Sequence, residues 1–516
     1  MNNMSGQIAE SCIVETGYGA VRGECQNGAY VWRGIPYATA PLGELRFRKP
    51  RPPAKWEEVL DATRFGPMCT QRRNRRKVSS AAREMSEDCL TLNIWSPGKP
   101  PAGSSETDEK KRAVLFFIHG GYFTDGAGSD SEYEGTELTR DGDILLVTIN
   151  YRLGVLGFMD FSFLDDSFDS NCGLWDTLAA LRWVHENIEA FGGDPDNITI
   201  CGQSAGGVSV CLLSMNDEAR KYIKRGIMMS GIPTLLYTKE QSQKISRDFL
   251  DFIDIHDAAS LLAESAFTLA ERQKEFSRTY SLGSATFAPC VDGDMVKAYP
   301  IPAAIAGTAK SVPMLMGTTR EEMSVVFIKA LSYVMKIQKM VDQGLQEEEE
   351  ESKSRIKEAY KIYGRRAPKT TVSDYVFRMP CLWLAGARSS NEDTWMYRFD
   401  YETFGMRMSG LHAFHSSDLP FLFGNLKSGL ARYMFLLSPL KKGIRKVSRE
   451  FRGDFLTFIK TGVLPWEKCS EEGTPAKCYA RTFFVEQAVP AEVKRAYDGS
   501  AFKRRSIEGG NIIEIV

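Results

Sequence analysis

The sequence predicts an α/β protein built on a large, mostly parallel central sheet flanked by helices. Three observations carry this expectation. Residues 113–118 (Ala-Val-Leu-Phe-Phe-Ile), 144–149 and 198–200 are continuous apolar runs, the pattern of strands buried on both faces. The stretch between the second and third runs, residues 174–191, is amphipathic, and buried strands alternating with helices imply parallel order. Two of the runs lead into glycine clusters, His119-Gly120-Gly121 and Gly202-Gln203-Ser204-Ala205-Gly206-Gly207. In such sheets, function gathers at the carboxyl ends of the strands.

The elements follow in order. Residues 13–37 alternate apolar and small residues around Gly17, Gly19 and Gly23, an entry hairpin and a fixed loop. The proline-rich run 40–53 cannot form regular structure and lies along the surface of something larger. The second half of Ser86-Glu87-Asp88-Cys89-Leu90-Thr91-Leu92-Asn93-Ile94-Trp95 alternates as a strand, and before it Arg72, Arg73, Arg75, Arg76, Lys77 and Arg83 crowd one loop. Beyond Ser230-Gly231 the pattern turns helical and polar, interrupted by an apolar strand at 312–317 that runs into Thr318-Thr319-Arg320-Glu321-Glu322. The acidic run 347–351 opens a helix with Ile356, Tyr360 and Tyr363 on one face, and it is expected to be a solvated first turn favoured by the helix dipole. A strand at 395–399, a loop at 413–424 and a helix over about 446–461 complete the chain. No repeat or Ser/Gly linker divides it, so a single domain over 1–516 is expected, with a helical insertion region at roughly 231–380.

Composition narrows the partners. A net charge of -1 with 25% charged residues gives no field that draws nucleic acid or an anionic membrane. The start, Met1 to Gly6, has neither a basic cluster nor an apolar run, and no stretch is long enough to span a bilayer, so a soluble cytoplasmic location is the expectation. Eleven scattered cysteines suit buried thiols better than a disulfide framework or a metal cluster.

The second glycine cluster has the form of a nucleophile elbow, in which glycines relieve crowding where a strand turns sharply into a helix and lifts a serine above the sheet. Ser204 is the nucleophile it offers. A serine needs a base, a carboxylate to orient the base, and donors for the oxyanion. The strand end Gly120-Gly121-Tyr122 places backbone N–H groups where an oxyanion loop of the HGGG type lies, and the Ala205 amide completes the hole, with no charged side chain. Of five histidines, His119 belongs to the oxyanion loop, His185 lies on a helix among polar neighbours and His256 in a charged segment, leaving His412 and His415. The acid is Glu321 or Glu322, at a strand end. Spacing alone does not choose within either pair.

The motifs Arg33-Gly34-Ile35-Pro36-Tyr37-Ala38, Ser86-Glu87-Asp88-Cys89-Leu90, His119-Gly120-Gly121, Asn150-Tyr151-Arg152-Leu153-Gly154, Ala190-Phe191-Gly192-Gly193-Asp194-Pro195 and the elbow itself resemble the type-B carboxylesterase family, which includes the cholinesterases. The stretch from Ala413-Phe414-His415 to Phe423-Gly424-Asn425 is especially similar to the bacterial para-nitrobenzyl esterases. The resemblance implies the α/β-hydrolase fold, hydrolysis of small carboxylic esters through an acyl-enzyme, and no metal or organic cofactor. The family histidine stands nine residues before the glycine matching Gly424, and the family glutamate five residues after the glycine matching Gly317. The implied triad is therefore Ser204, Glu322 and His415, with oxyanion donors on Gly121, Tyr122 and Ala205, and Ser230 supporting the acid.

Four departures bear on substrate. Tyr122 stands where relatives carry Gly or Ala, so its ring must point away from the acyl group or narrow the pocket. Gln203 replaces the usual glutamate before the serine, which deprives a cationic substrate of a partner. Met323 follows Glu322 where glycine is usual, and the segment between Cys69 and Cys89 is basic, with no tryptophan to stack on a quaternary ammonium. Choline esters are therefore not expected substrates. The basic loop is expected to be a solvated surface loop, with attraction of anionic esters as the functional alternative. Relatives that are secreted pair the cysteines matching Cys69 and Cys89, whereas reduced thiols are expected in a cytoplasmic chain. The Asn197-Ile198-Thr199 pattern is expected to be structural rather than glycosylated, because it leads into the buried elbow strand. Competing expectations are a catalytically silent binding protein of this family, since fold does not fix function, and an interfacial lipase.

Overall fold

A computed structural model describes residues 12–71, 84–98, 111–279, 286–308, 310–327, 347–427, 429–435 and 442–509. The basic loop at 72–83 lies outside the described residues. Eleven strands form one sheet: β1 (Glu24–Gln26), β2 (Ala29–Pro36), β3 (Thr91–Ser96), β4 (Arg112–Ile118), β5 (Leu145–Ile149), β6 (Gly193–Gln203), β7 (Arg225–Met229), β8 (Met314–Thr319), β9 (Thr394–Phe399), β10 (Pro475–Tyr479) and β11 (Phe483–Gln487). Their spatial order is β11-β10-β9-β8-β7-β6-β4-β5-β3-β2-β1. From β5 to β10 every neighbouring pair is parallel. The antiparallel pairs are confined to the two ends of the sheet. This is the α/β-hydrolase architecture the sequence implies.

The apolar runs bury both faces, as strands covered by helices on each side require. In β4, Val114, Phe116 and Ile118 enter one core while Leu115 and Phe117 enter the other. The first core is closed by α1 (Cys172–Asn187) through Leu178, Leu181 and Val184, and by α2 (Ala205–Met215) through Val208 and Leu212. The helix α3 (Met379–Arg388) buries Met379, Cys381 and Leu382 in the same core. The second core is closed by α4 (Lys442–Thr461), whose Phe451 and Phe455 pack under Tyr397 and Phe399 of β9 while Phe458 packs on Trp395 of the same strand. Burying each such aromatic side chain is worth about 2–3 kcal/mol.

One expectation holds and another is refined. The helical stretch after Ser230 is broken by β8, which belongs to the central sheet and carries the acid loop at its end. The acidic run 347–351 is only partly a solvated first turn. Glu350 and Glu351 do open an α-helix, Glu350–Ala359, but Glu348 is buried and accepts from the backbone amides of Ala501 and Phe502 at 2.8 Å each. Glu347 pairs with Arg505. The run therefore satisfies the start of a second helix, Ala501–Glu508, whose leading N–H groups have no intrahelical acceptors.

Candidate active site

The last residue of β6 is Gln203, and α2 begins at Ala205. Ser204 makes the turn between them with φ 59° and ψ -122°, and its N–H is fixed by the Met229 carbonyl at 2.8 Å. That left-handed backbone is costly for a side-chain-bearing residue and persists because the surroundings leave no alternative. A Cβ on Gly206 would lie 2.0 Å from the carbonyl oxygen of Ile118, and one on Gly202 would lie 2.2 Å from that of Gly206. The glycines therefore let α2 press directly on the end of β4. Ala205 opens α2, so its N–H is one of the helix-start donors with no carbonyl inside the helix.

The glycine loop that follows β4 lies against this turn. A Cβ on Gly120 would sit 3.0 Å from Ser204 Cβ. Gly121 has φ 121° and its carbonyl accepts from the amides of Thr124 and Asp125, both at 3.0 Å. Tyr122 and Phe123 follow with φ 57° and 61°, two consecutive side-chain-bearing residues in the left-handed region. Phe123 is buried against Phe158, whereas Tyr122 is half-exposed, so the tyrosine ring is not packed into the core. His119 holds the loop: Nδ1 hydrogen-bonds the Gly120 carbonyl at 2.8 Å, its ring stacks on Tyr151, and the Tyr151 hydroxyl donates to its carbonyl.

The acid loop follows β8. Glu322 is fully buried, and its Oε1 accepts from Ser230 Oγ at 2.6 Å and from the Thr319 amide at 2.7 Å. Its Oε2 faces His415 Nδ1 at 2.6 Å. Two backbone bonds tie the loops together, His415 N–H to the Glu322 carbonyl and Glu321 N–H to the Ala413 carbonyl. On the other ring nitrogen, His415 Nε2 meets Gln203 Nε2 at 3.1 Å. Among the described residues the imidazole is bonded to Gln203 rather than to Ser204 Oγ. In general the contact of a nucleophile with its base is often long before substrate binds and tightens in the complex.

The unchosen alternatives form a separate cluster. His412 Nδ1 lies 2.7 Å from Glu402, while buried Glu321 is paired with Arg366 at 3.1 Å. His185 packs on Tyr222 and His256 is exposed.

Residues 10–477 match the carboxylesterase family. The chain belongs to the carboxylesterase family. It is 36% identical to a para-nitrobenzyl esterase of Bacillus subtilis, over 87% of this chain and 90% of that one. Among solved structures it resembles a thermophilic PNB esterase with a TM-score of 0.81 at 32% identity, covering 94% of this chain and 99% of that chain. A Geobacillus stearothermophilus carboxylesterase gives a TM-score of 0.80 at 36% identity, with the same coverage. This family member is thus an enzyme that hydrolyses carboxylic ester bonds.

Several site features escaped sequence reasoning. Arg378 lies in a π-helical turn, Asp374–Arg378, just before α3. Fully buried, it donates to the carbonyls of Thr319 and Arg320 at 2.8 and 2.7 Å and pairs with Asp374, so it stiffens the acid loop from behind. Phe377, in the same turn, sets its ring 5.0 Å from that of His415. Asp418, three residues after His415, is buried with one oxygen accepting from Tyr397 and the other unpartnered among the described residues. Burial, followed by the nearby Glu322 carboxylate, pushes its carboxyl up to about 7. The π-turn leaves no pattern in the sequence, and an aspartate beside a histidine carries no sign of how deeply it will be buried.

The departures acquire structural answers. Met323 is buried with its N–H on Ser373 Oγ and does not occupy the left-handed region, so its side chain is accommodated. Cys69 and Cys89 are buried free thiols, and hydrogen bonding to Cys69, then burial, raises the Cys89 thiol well above its ordinary value. Asn197 accepts from Arg225 at 2.6 Å, which occupies its side-chain oxygen within the fold. Among the described residues no group could hold a metal ion, and no helix is long and apolar enough to cross a membrane.

Proposed function

We propose that Ser204, Glu322 and His415 are the catalytic triad of this esterase, with the amides of Gly121, Tyr122 and Ala205 as its oxyanion hole and Ser230 as the support of the acid. The observation that carries this reading is the chain of short hydrogen bonds from Ser230 through Glu322 to His415, built beside the strained serine turn. Glu322 has only acceptor oxygens when ionised, so His415 carries its proton on Nδ1 and leaves Nε2 as the base. Ser204 Oγ attacks the ester carbonyl as Nε2 takes its proton, and the carbonyl oxygen gains negative charge against the backbone amides. The imidazolium then protonates the departing alcohol. Water, deprotonated by the same nitrogen, attacks the acyl-enzyme and releases the acid. Glu322 stabilises the imidazolium throughout without taking its proton.

The substrate class proposed is a small uncharged carboxylic ester. Gln203 adds no negative charge beside the serine, and the donors of the oxyanion hole require only a carbonyl. The test is stoichiometric labelling by an organophosphate, read by mass spectrometry of the peptide containing Ser204. One adduct per chain, absent in Ser204→Ala together with turnover of a para-nitrophenyl ester, is the expected outcome. Turnover that survives Ser204→Ala overturns the reading.

A further inference from the structure

The loop amides assigned to the oxyanion are aimed by the far ends of their own peptides. A trans peptide points its N–H opposite to its C=O, so the Gly121 N–H follows the Gly120 carbonyl and the Tyr122 N–H follows the Gly121 carbonyl. Both carbonyls are held from behind. The first is bonded by His119 Nδ1 at 2.8 Å, and the second accepts from the amides of Thr124 and Asp125. Gly126 closes the turn with φ 112°, and a Cβ there would lie 2.6 Å from both the Gly120 oxygen and His119 Nδ1. The backbone of Gly126 is thus the floor on which the first peptide and its histidine rest.

That floor is fixed by one side chain from a segment 55 residues away. Gln71 is 8% exposed, and its carboxamide meets Gly126 twice: Oε1 accepts from the Gly126 N–H at 2.9 Å, and Nε2 donates to the Gly126 carbonyl at 2.8 Å. Nε2 also donates to the Cys69 carbonyl at 3.1 Å. A carboxamide nitrogen carries two hydrogens, and both are engaged. Two residues further on, the Gly128 N–H bonds Asn150 Oδ1, and Asn150 Nδ2 donates to the Pro67 carbonyl. Side-chain amides therefore join the strips 67–71 and 126–128 at two places.

We propose that Gln71 is a positioning residue for the oxyanion hole: by pairing with both polar groups of Gly126 it fixes the floor under the Gly120 peptide, and with it the direction of the Gly121 N–H. The inference rests on the assignment of Gly121, Tyr122 and Ala205 as oxyanion donors and goes beyond it, because Gln71 acts through Gly126 rather than on the substrate. Donors held in place before charge develops need no reorganisation in the transition state, and a donor that swings off line weakens steeply. Methionine at 71 keeps the length but leaves the Gly126 N–H and two carbonyls without this partner. Glutamate can still accept from Gly126, but its second oxygen has no hydrogen for the carbonyls of Gly126 and Cys69.

The test uses the full chain carrying Gln71→Met or Gln71→Glu, each assayed well below its own melting temperature. The readouts are kcat and KM on a para-nitrophenyl ester, and inhibition by an alkyl trifluoromethyl ketone and by the methyl ketone of the same chain length. Ser204 Oγ adds to the trifluoromethyl ketone carbon, its proton passes to His415 Nε2, and the ketone oxygen becomes the oxyanion, so preference for this ketone reads the hole itself. In Gln71→Met, kcat is expected to fall about tenfold, a part of the roughly 10²–10³ that loss of one donor costs. KM should change less than about twofold, and the preference for the trifluoromethyl ketone should fall about tenfold alongside kcat. Gln71→Glu should lose at least as much, and it carries the test if Gln71→Met does not fold. A side chain that serves stability alone would lower the melting temperature and leave kcat and ketone preference unchanged; that result in a folded variant overturns the proposal, as does a loss confined to KM. Failure of the underlying reading has separate signatures: a wild-type enzyme with no preference for the trifluoromethyl ketone, or turnover that survives Ser204→Ala.

Discussion

Replacing Asp418 with asparagine should change how stability depends on pH. The carboxyl of Asp418 is raised from 3.8 to about 7, first by burial and then by the Glu322 carboxylate. An acid whose pKa rises on folding keeps a proton in the native state that the unfolded chain releases. Its stabilising contribution is fully present below pH 3.8, declines above it, and is lost once the pH passes about 7. At about 1.36 kcal/mol per unit, the whole swing is roughly 4 kcal/mol. Asparagine cannot ionise, and its oxygen can still accept from the Tyr397 hydroxyl that lies 3.0 Å from Asp418. Its NH₂ group would point where the second carboxyl oxygen has no partner, a pH-independent cost of about 1–3 kcal/mol. For a chain of this size the unfolding entropy makes 1 kcal/mol worth about 1 °C. The melting temperature of Asp418→Asn relative to wild type should therefore climb by about 3 °C between pH 4.5 and 8. Calorimetry at a fixed scan rate in a series of buffers measures it. A difference that stays flat across that range, or that falls with pH, refutes the argument.

Other outcomes follow from the same geometry. His415→Ala should lower kcat by about 10⁴-fold, whereas His412→Ala, which removes a partner of Glu402, should change kcat only a few-fold; equal losses in the two would contradict the assignment. Ser230→Ala removes one of the two donors on Glu322 Oε1, and a drop of about tenfold in kcat with KM unchanged is expected for one charge-assisted hydrogen bond. Unaltered steady-state kinetics would show that the hydroxyl does not support the acid. Arg378→Met leaves buried Asp374 uncompensated and two acid-loop carbonyls without donors, and a stability loss of about 3–5 kcal/mol is expected in urea unfolding. A loss below 1 kcal/mol would mean the pair is dispensable.

Much of this molecule was legible as a string. Residues 113–118 are apolar without alternation because β4 is buried on both faces, and that pattern survives translation into sequence. The elbow is legible for the same kind of reason: Gly202 and Gly206 occupy positions where a Cβ would approach a carbonyl oxygen to 2.2 and 2.0 Å, so packing forced a residue type. Local spacing did not separate Glu321 from Glu322 or His412 from His415. Each pair lies within one short loop, and which member turns toward the other loop depends on backbone direction, as in the contact of Glu322 with His415. Family resemblance chose the members that the fold brings together. The acidic run 347–351 was only partly legible because the partner of Glu348, the start of the helix Ala501–Glu508, is 153 residues away.

By itself the sequence determined the sheet, the serine turn and the glycine loop after β4, because each is written in hydrophobic period or in glycines that only close packing demands, and its motifs carried the resemblance that gives the class of reaction. Tertiary structure alone decided the company kept by the site. It set Gln203 on the free nitrogen of His415, put Arg378 behind the acid loop, and buried Asp418 deeply enough to hold its proton near neutral pH. Those properties depend on distance and desolvation between segments remote in the chain, and neither quantity has a counterpart in residue order.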